Sequence, residues 1–199
     1  QHAICYTDED IITLAFQACE KIESEIDAIL FSTTTPVFKD RYHSSYLADL
    51  LGLKEGVFAL DLGSTNRAGT DAIVLADRLL KSGSNENILI VATDVHYPAI
   101  GNEAKSSFGH AAVAMVLSNN DGIAKITEAK TYSSAMSEEF IYKGEKTQYD
   151  PRFARTKGFK NNLDLLLKSE DLNIKSINKI YLNSPYAKIG FGQLKKAGF

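Results

Sequence analysis

Cysteine is scarce in this chain: two residues, Cys5 and Cys19, among 199. That excludes a disulfide framework and any C-x-x-C metal knuckle. No charged leader precedes an apolar stretch at the N-terminus, so the pair is expected to be reduced thiols of a cytoplasmic protein. Cys19 lies beside Ala18 and Ile22 in an amphipathic pattern and reads as a small buried hydrophobe. Cys5 precedes that pattern with no histidine near it in the sequence and reads the same way. Long apolar runs are missing as well. Stretches such as Ile88-Leu-Ile-Val-Ala-Thr are far shorter than the roughly 20 residues that span a bilayer, so no membrane insertion is expected. An excess of one charge is also missing. The 22 Lys and Arg against 25 Asp and Glu leave a net charge of −3, and the basic residues are too scattered to form a face for nucleic acid. No glycine-rich phosphate loop is present. Neither a metal nor a resident cofactor is expected.

What remains is an ordinary globular composition, 44% hydrophobic and 24% charged, of a size that buries about 70% of its unfolded surface. Thr7 with Asp10 three residues on has the spacing of a helix cap. Ile11, Ile12, Leu14, Ala15, Ala18, Cys19 and Ile22 then repeat at helical intervals, predicting a helix over residues 8–23. Ile26-Asp-Ala-Ile-Leu-Phe-Ser is a short continuous apolar run, as suits a strand buried on both faces. Ser44 or Ser45 can cap a short helix that runs through Leu47, Leu50 and Leu51 and closes at Gly52. Residues 57–62 read as a second strand. Ala68, Ala72, Ile73, Leu75, Ala76, Leu79 and Leu80 define a third helix with Gly83 just past its end. Strands follow at 87–93 and 111–118.

This alternation predicts a layered α/β domain rather than a sandwich or bundle. Residues 133–160 are polar and mixed in charge, with Gly144, Pro151 and Gly158, and read as irregular. A helix at 159–167, a strand at 179–183 and a helix at 189–196 begin a second α/β unit. The organisation expected is therefore one unit over 1–135, a connection over 136–158 and the beginning of another unit over 159–199.

The stretch Ala59-Leu-Asp-Leu-Gly-Ser-Thr-Asn-Arg-Ala-Gly-Thr-Asp-Ala-Ile73 carries the chemical interest. It has the layout of a strand that delivers a nucleophile to a helix N-terminus, where unpaired N–H groups and a partial positive charge favour a thiolate and its oxyanion intermediates. Asn66 occupies the nucleophile's place and is expected to cap the helix. Ala68 and Gly69 keep the first turn narrow enough for a thioester carbonyl to approach backbone amides. His96 and His110 are lone histidines in loops or strand ends, each read as an ordinary hydrogen-bonded residue. Arg152, Arg155, Lys157 and Lys160 could meet phosphates, although a solvated mixed-charge loop accounts for them as well.

The order of elements, the Asn66-Arg-Ala-Gly-Thr-Asp-Ala-Ile helix start and Ser107-Phe-Gly-His-Ala-Ala-Val-Ala-Met-Val-Leu together resemble the thiolase superfamily. The likeness is nearest to 3-hydroxy-3-methylglutaryl-CoA synthases of the archaeal and bacterial type, with ketoacyl-ACP synthase III as a relative. Tyr149-Asp-Pro-Arg-Phe-Ala-Arg and the stretch from Ile180 to Phe199 match the same group. The resemblance implies an α-β-α-β-α fold, of which this chain holds the N-terminal half without its first strand and the start of the second half.

In that family a Cys is acylated, a Glu acts as acid and base, and a His orients the second substrate. Matching the motifs puts Asn66 at the Cys position, Thr33 at the Glu position and Asn183 at the His position. An amide forms no acyl-enzyme, and losing a nucleophile costs about 10⁶ in turnover. The resemblance therefore implies a catalytically degenerate thiolase-fold protein that pairs with itself or with an active paralogue, through the strand at 57–62. Such a protein would bind acyl-CoA through Ser64, Thr65, Arg67, Gly69, His110 and Arg152, with the coenzyme A thioester as ligand rather than cofactor. The alternative is an acyl-CoA or acyl-ACP condensing enzyme or acyltransferase that works without the usual Cys, leaving Ser64, Thr65 and Thr70 as the nearby hydroxyls. A scaffold with no affinity for coenzyme A is a third possibility.

Overall fold

In a computed structural model, the described residues are 3–63, 65–97, 109–134, 141–142, 145–146, 150–168, 174–182 and 186–199. The chain divides into two compact units, Gln1–Thr127 and Glu128–Phe199.

The first unit is built on a four-stranded sheet. In chain order its elements are α1 (Ile11–Cys19), β1 (Ala28–Ser32), α2 (His43–Leu50), β2 (Phe58–Leu62), α3 (Ala68–Lys81), β3 (Asn87–Asp94) and β4 (Ala111–Ser118). The sheet order is β2-β1-β3-β4. β1 runs parallel to β2 and to β3, while β4 returns antiparallel along β3. All five residues of β1 are buried, the burial that a continuous apolar run anticipates for a central parallel strand.

Alternation along the strands divides the core in two. Ile29, Phe31, Leu89 and Val91 face α1 and α2, packing with Ile11, Ile12, Ala15, Cys19 and Leu47. Ala28, Leu30, Ile88 and Ile90 face α3, packing with Ala72, Ala76 and Leu80. The result is a mixed α/β unit with helices on both faces of an open sheet, which is the expected fold class. Alanines at 72 and 76 bring α3 close to the sheet, and Gly69 brings it closer still. A Cβ at Gly69 would stand 3.3 Å from the Cβ of Ala92.

Several boundaries differ from those the sequence suggests. The cap of α1 is Asp10 rather than Thr7. Its Oδ1 accepts the N–H groups of Ile12 and Thr13 at 2.8 and 2.9 Å, while Thr13 Oγ1 accepts the Asp10 N–H at 2.7 Å. The helix ends at Cys19, yet Ile22 still packs on the core from the turn that follows, which prolongs the apolar period beyond the helix. Neither Ser44 nor Ser45 caps α2. The helix begins at His43, and its first amides are satisfied from another element: Asp61 of β2 accepts the N–H of His43 at 2.8 Å and that of Ser44 at 2.9 Å. α3 ends as expected, with Gly83 at φ +77°, the left-handed conformation glycine adopts without strain.

In the second unit, part of the stretch expected to be irregular is helical. α4 (Pro151–Phe153) leads through a π-helical segment (Ala154–Lys160) into α5 (Asn161–Leu167), so one helical stretch runs from Pro151 to Leu167. Asp150 starts it by accepting the N–H groups of Arg152 and Phe153, with Pro151 in the first turn where no donor is needed. The unit also holds β5 (Ile141–Tyr142) paired with β6 (Glu145–Lys146), a 3₁₀ turn (Ile174–Ser176) and α6 (Ala187–Ala197). The strand expected at 179–183 does not form over its described residues 179–182, which join no strand ladder among the described residues. α6 packs closely through Gly190, where an added Cβ would lie 2.8 Å from Leu182 Cδ1. Among the described residues no helix is long and apolar enough to cross a membrane.

Candidate functional site

The carboxyl ends of the three parallel strands and the start of α3 share one edge of the first unit, the position where open α/β sheets present ligand sites. Ser32 closes β1 and donates its hydroxyl to the carbonyl of Ala68 at 3.2 Å, tying strand to helix. Thr33 continues the ladder by donating its N–H to Leu62 O at 3.1 Å. Gly63 fits beside it because a Cβ there would lie 3.1 Å from the Thr33 carbonyl oxygen. Two of the three residues that the resemblance matches to reactive positions, Thr33 and Asn66, therefore lie on elements that meet at this edge. Asn183, the third, lies outside the described residues, as does Ser64.

Asn66 is exposed in the turn that precedes α3 and does not cap it. The cap position belongs to Arg67, which makes no side-chain capping bond, and the turn closes instead through the Ala68 N–H to Thr65 O at 3.0 Å. The helix starts one residue later than an Asn66 cap requires. Thr65 Oγ1 accepts the Arg67 N–H at 3.3 Å, and the Arg67 side chain pairs with Asp71 at 2.9 Å, one helical turn on. Gly69 is spent on the contact with β3. Arg152 is exposed on the helical stretch of the second unit, with Arg155 and Lys157, and Lys160 is paired with Asp164 at 2.6 Å.

Thr33 is buried and carries no acid chemistry of its own. Its Oγ1 donates to Asp94 Oδ1 at 3.0 Å. The same oxygen accepts the Thr34 N–H at 2.6 Å, the Thr34 hydroxyl at 3.0 Å and the Thr35 hydroxyl at 3.2 Å. Asp94 at the end of β3 is thus a carboxylate held by three consecutive threonines, acting as an acceptor that knots β1 to β3. It has no place among the expected site residues. Its signal in the sequence was a strand ending in hydroxyls beside another ending in a carboxylate, and the register Ser32↔Ala92 brings those two ends together.

The antiparallel return of β4 places a second group at the same edge. Asp94 pairs with Ala111, so His110 enters β4 where β3 leaves off. The N-terminal segment runs alongside: the His110 N–H donates to Ala3 O at 2.9 Å, and the Cys5 N–H donates to His110 Nδ1 at 3.1 Å. Cys5, expected to have no histidine nearby, has its Sγ 3.0 Å from that same Nδ1. Tyr97 completes the group, with its hydroxyl 3.5 Å from Sγ and its ring edge-on to the imidazole. Because Nδ1 accepts the Cys5 amide, the ring proton belongs on Nε2, which faces the His96 carbonyl at 3.3 Å. The bond from Cys5 raises the Tyr97 phenol above its ordinary range. Cys19, by contrast, is the buried hydrophobe expected, and burial pushes its thiol up to about 11. Among the described residues no group of three His, Cys, Asp or Glu side chains could hold a metal ion.

No protein-family model matches the chain. It is 30% identical over 141 residues to a hydroxymethylglutaryl-CoA synthase of Caldivirga maquilingensis, a match that covers 67% of this chain and 40% of the relative. It is 27% identical over 146 residues to a β-ketoacyl-[acyl-carrier-protein] synthase III of Aquifex aeolicus, covering 68% of this chain and 47% of the relative. Among solved structures, the HMG synthase of the curacin biosynthetic pathway, crystallised with an acetyl donor-ACP, superposes at a TM-score of 0.73 with 16% identity. That match covers 88% of this chain and 47% of the other. The chain thus spans less than half the length of these curated relatives.

Proposed function

From a chain related to the thiolase superfamily, and to its hydroxymethylglutaryl-CoA synthase and ketoacyl synthase III branches in particular, we propose a catalytically degenerate thiolase-fold protein. Its role is to pair with a second copy or an active paralogue and to bind an acyl-CoA without turning it over. One observation carries this reading. The turn leading into α3, where a thiolate would gain most from the helix N-terminus, presents the carboxamide of Asn66.

Thr33 supports it from the adjoining strand end. A threonine hydroxyl bound to Asp94 cannot shuttle protons as a carboxylic acid can. Pairing is supported by β2, one edge of the sheet, which begins with the exposed Phe58. An edge strand offers unpaired backbone groups to a second chain.

Incubation with acetyl-CoA, followed by intact mass and peptide mapping, tests the catalytic part. No acyl group is expected anywhere on residues 63–70, nor any condensed product with acetoacetyl-CoA. An acetylated residue in that turn, or turnover at the rate of active synthases, refutes the proposal. Native mass of the complex tests the pairing, and a monomer at all concentrations refutes it.

A further inference from the structure

We propose that Cys5 and His110 form a thiol–disulfide exchange site that accepts small disulfides, independent of the degenerate site at Asn66. A nucleophile and base in hydrogen-bond contact, with the base oriented by a third group, are the structural signature of an activated nucleophile. All three parts are present. Cys5 Sγ lies 3.0 Å from His110 Nδ1, the unprotonated nitrogen. Nε2 is fixed toward the His96 carbonyl, and His110 is buried at 7% exposure, so its ring is held in place. Cys5 is only half-buried, and beside it stands Tyr97, 67% exposed, so the thiol can be reached.

The geometry also selects among reactions. Acyl transfer to Sγ needs N–H donors for the oxyanion that develops, and the nucleophile's own amide is a natural first donor. Here the Cys5 N–H and the Cys5 thiol share the one lone pair of His110 Nδ1, so the amide points at the ring and stays aimed there when Nδ1 takes the thiol proton, away from an incoming carbonyl oxygen. Exchange with a disulfide passes through a line of three sulfurs and develops no oxyanion. His110 Nδ1 takes the proton from Sγ, and the thiolate attacks one sulfur of R–S–S–R. The Cys5–S–S–R bond forms as the S–S bond breaks, and the departing thiolate recovers the proton from His110 and leaves as RSH. Cys5 is oxidised and the released thiol is reduced. The chain's one other thiol, Cys19, is sealed in the core at 3% exposure. No resolving thiol stands at the surface, and the product is a stable mixed disulfide, one per chain.

The test is the rate of mixed-disulfide formation with oxidised glutathione at neutral pH, read by intact mass and peptide mapping. One adduct at Cys5 and none at Cys19 are expected. H110Q keeps an acceptor for the Cys5 amide but cannot take a proton, and it should slow the adduct at least about tenfold. Native protection of Cys19 shows that the variant is folded. Should H110Q expose Cys19, the wild-type rate is compared with that of a free peptide of residues 3–9, and at least about a tenfold advantage for the protein is expected. Equal rates in either comparison, or acetylation of Cys5 by acetyl-CoA faster than its thiolation, overturn the proposal. A Cys5 adduct leaves the reading of Asn66 untouched, because that reading is judged on residues 63–70 alone.

Discussion

Nδ1 of His43 lies 2.6 Å from Oδ2 of Asp61, while Nε2 of the same ring accepts the N–H groups of Val37 and Phe38 at 3.1 Å each. An imidazole that accepts at Nε2 carries its proton on Nδ1, so His43 donates to Asp61 as a neutral ring. The ring is stacked between Phe31 and Phe38. Through it, one carboxylate near the end of β2 fixes the start of α2 and the loop before it.

Removing that carboxylate leaves the His43 and Ser44 amides and the imidazole N–H without their acceptor. Asp61→Ala is expected to cost about 3 kcal/mol, because buried donors without partners are costly, while Asp61→Asn retains one acceptor and should cost about 1 kcal/mol. Urea unfolding with an unchanged m-value measures both. If D61A cost no more than D61N, the network would not be holding α2.

Acid should weaken the fold through two carboxylates. Burial alone would raise the Asp61 carboxyl, but hydrogen bonds from Ser44 and His43 outweigh it and hold the group below its ordinary range. Asp27 is held at about 2 by the bond from Lys54 and by the amides of Glu86 and Asn87. Groups depressed in the fold contribute stability above their unfolded value, near pH 4, and lose it as pH falls through the folded value. Asp27→Asn is expected to flatten the decline in stability between about pH 4 and pH 2. Thermal midpoints across that window would show it, and parallel curves for variant and wild type would count against it.

Size is limiting where α3 approaches β3. Gly69→Val forces a branched side chain into a gap where a single Cβ already meets Ala92 at 3.3 Å. Overpacking there should cost about 2 kcal/mol. Gly69→Ala should be much milder, since the helix gains propensity as the contact tightens. Equal midpoints for the two variants would contradict this.

Placing a thiol at position 66 separates position from function. Asn66→Cys in a Cys5→Ser background is expected to gain one acetyl group from acetyl-CoA, because the turn before α3 is exposed and a helix N-terminus favours the thiolate. Condensation should still be absent, as Thr33 offers no acid. Intact mass reads the first outcome and product analysis the second. A thiol at 66 that stays unacylated would mean that the turn no longer presents its side chain to a thioester.

The layered fold was legible because its signal is local. β1 showed itself as an apolar run, α3 as a helical period ending at Gly83, and β4 as residues 111–118. The site was harder, because its groups come from positions far apart in sequence. Asp61 caps α2 from 17 and 18 residues away, and Cys5 meets His110 across 105. Only the packing of helix and N-terminal segment against the sheet makes them neighbours. The sequence around Asn66 predicts the turn before α3, but the backbone puts the cap position one residue later, at Arg67, and a strand-end aspartate such as Asp94 has no sequence signature of its own.

β1 has a consequence for how this chain can change. Ile29 and Leu30 are joined by a peptide bond, yet each packs into a different half of the core. A substitution on the α1 side is shielded from one on the α3 side by the sheet between them, so the two halves can drift and repack almost separately. The neighbours that must change together are paired across strands, as Ile29 with Leu89 and Leu30 with Ile90, and the linear sequence hides those partnerships.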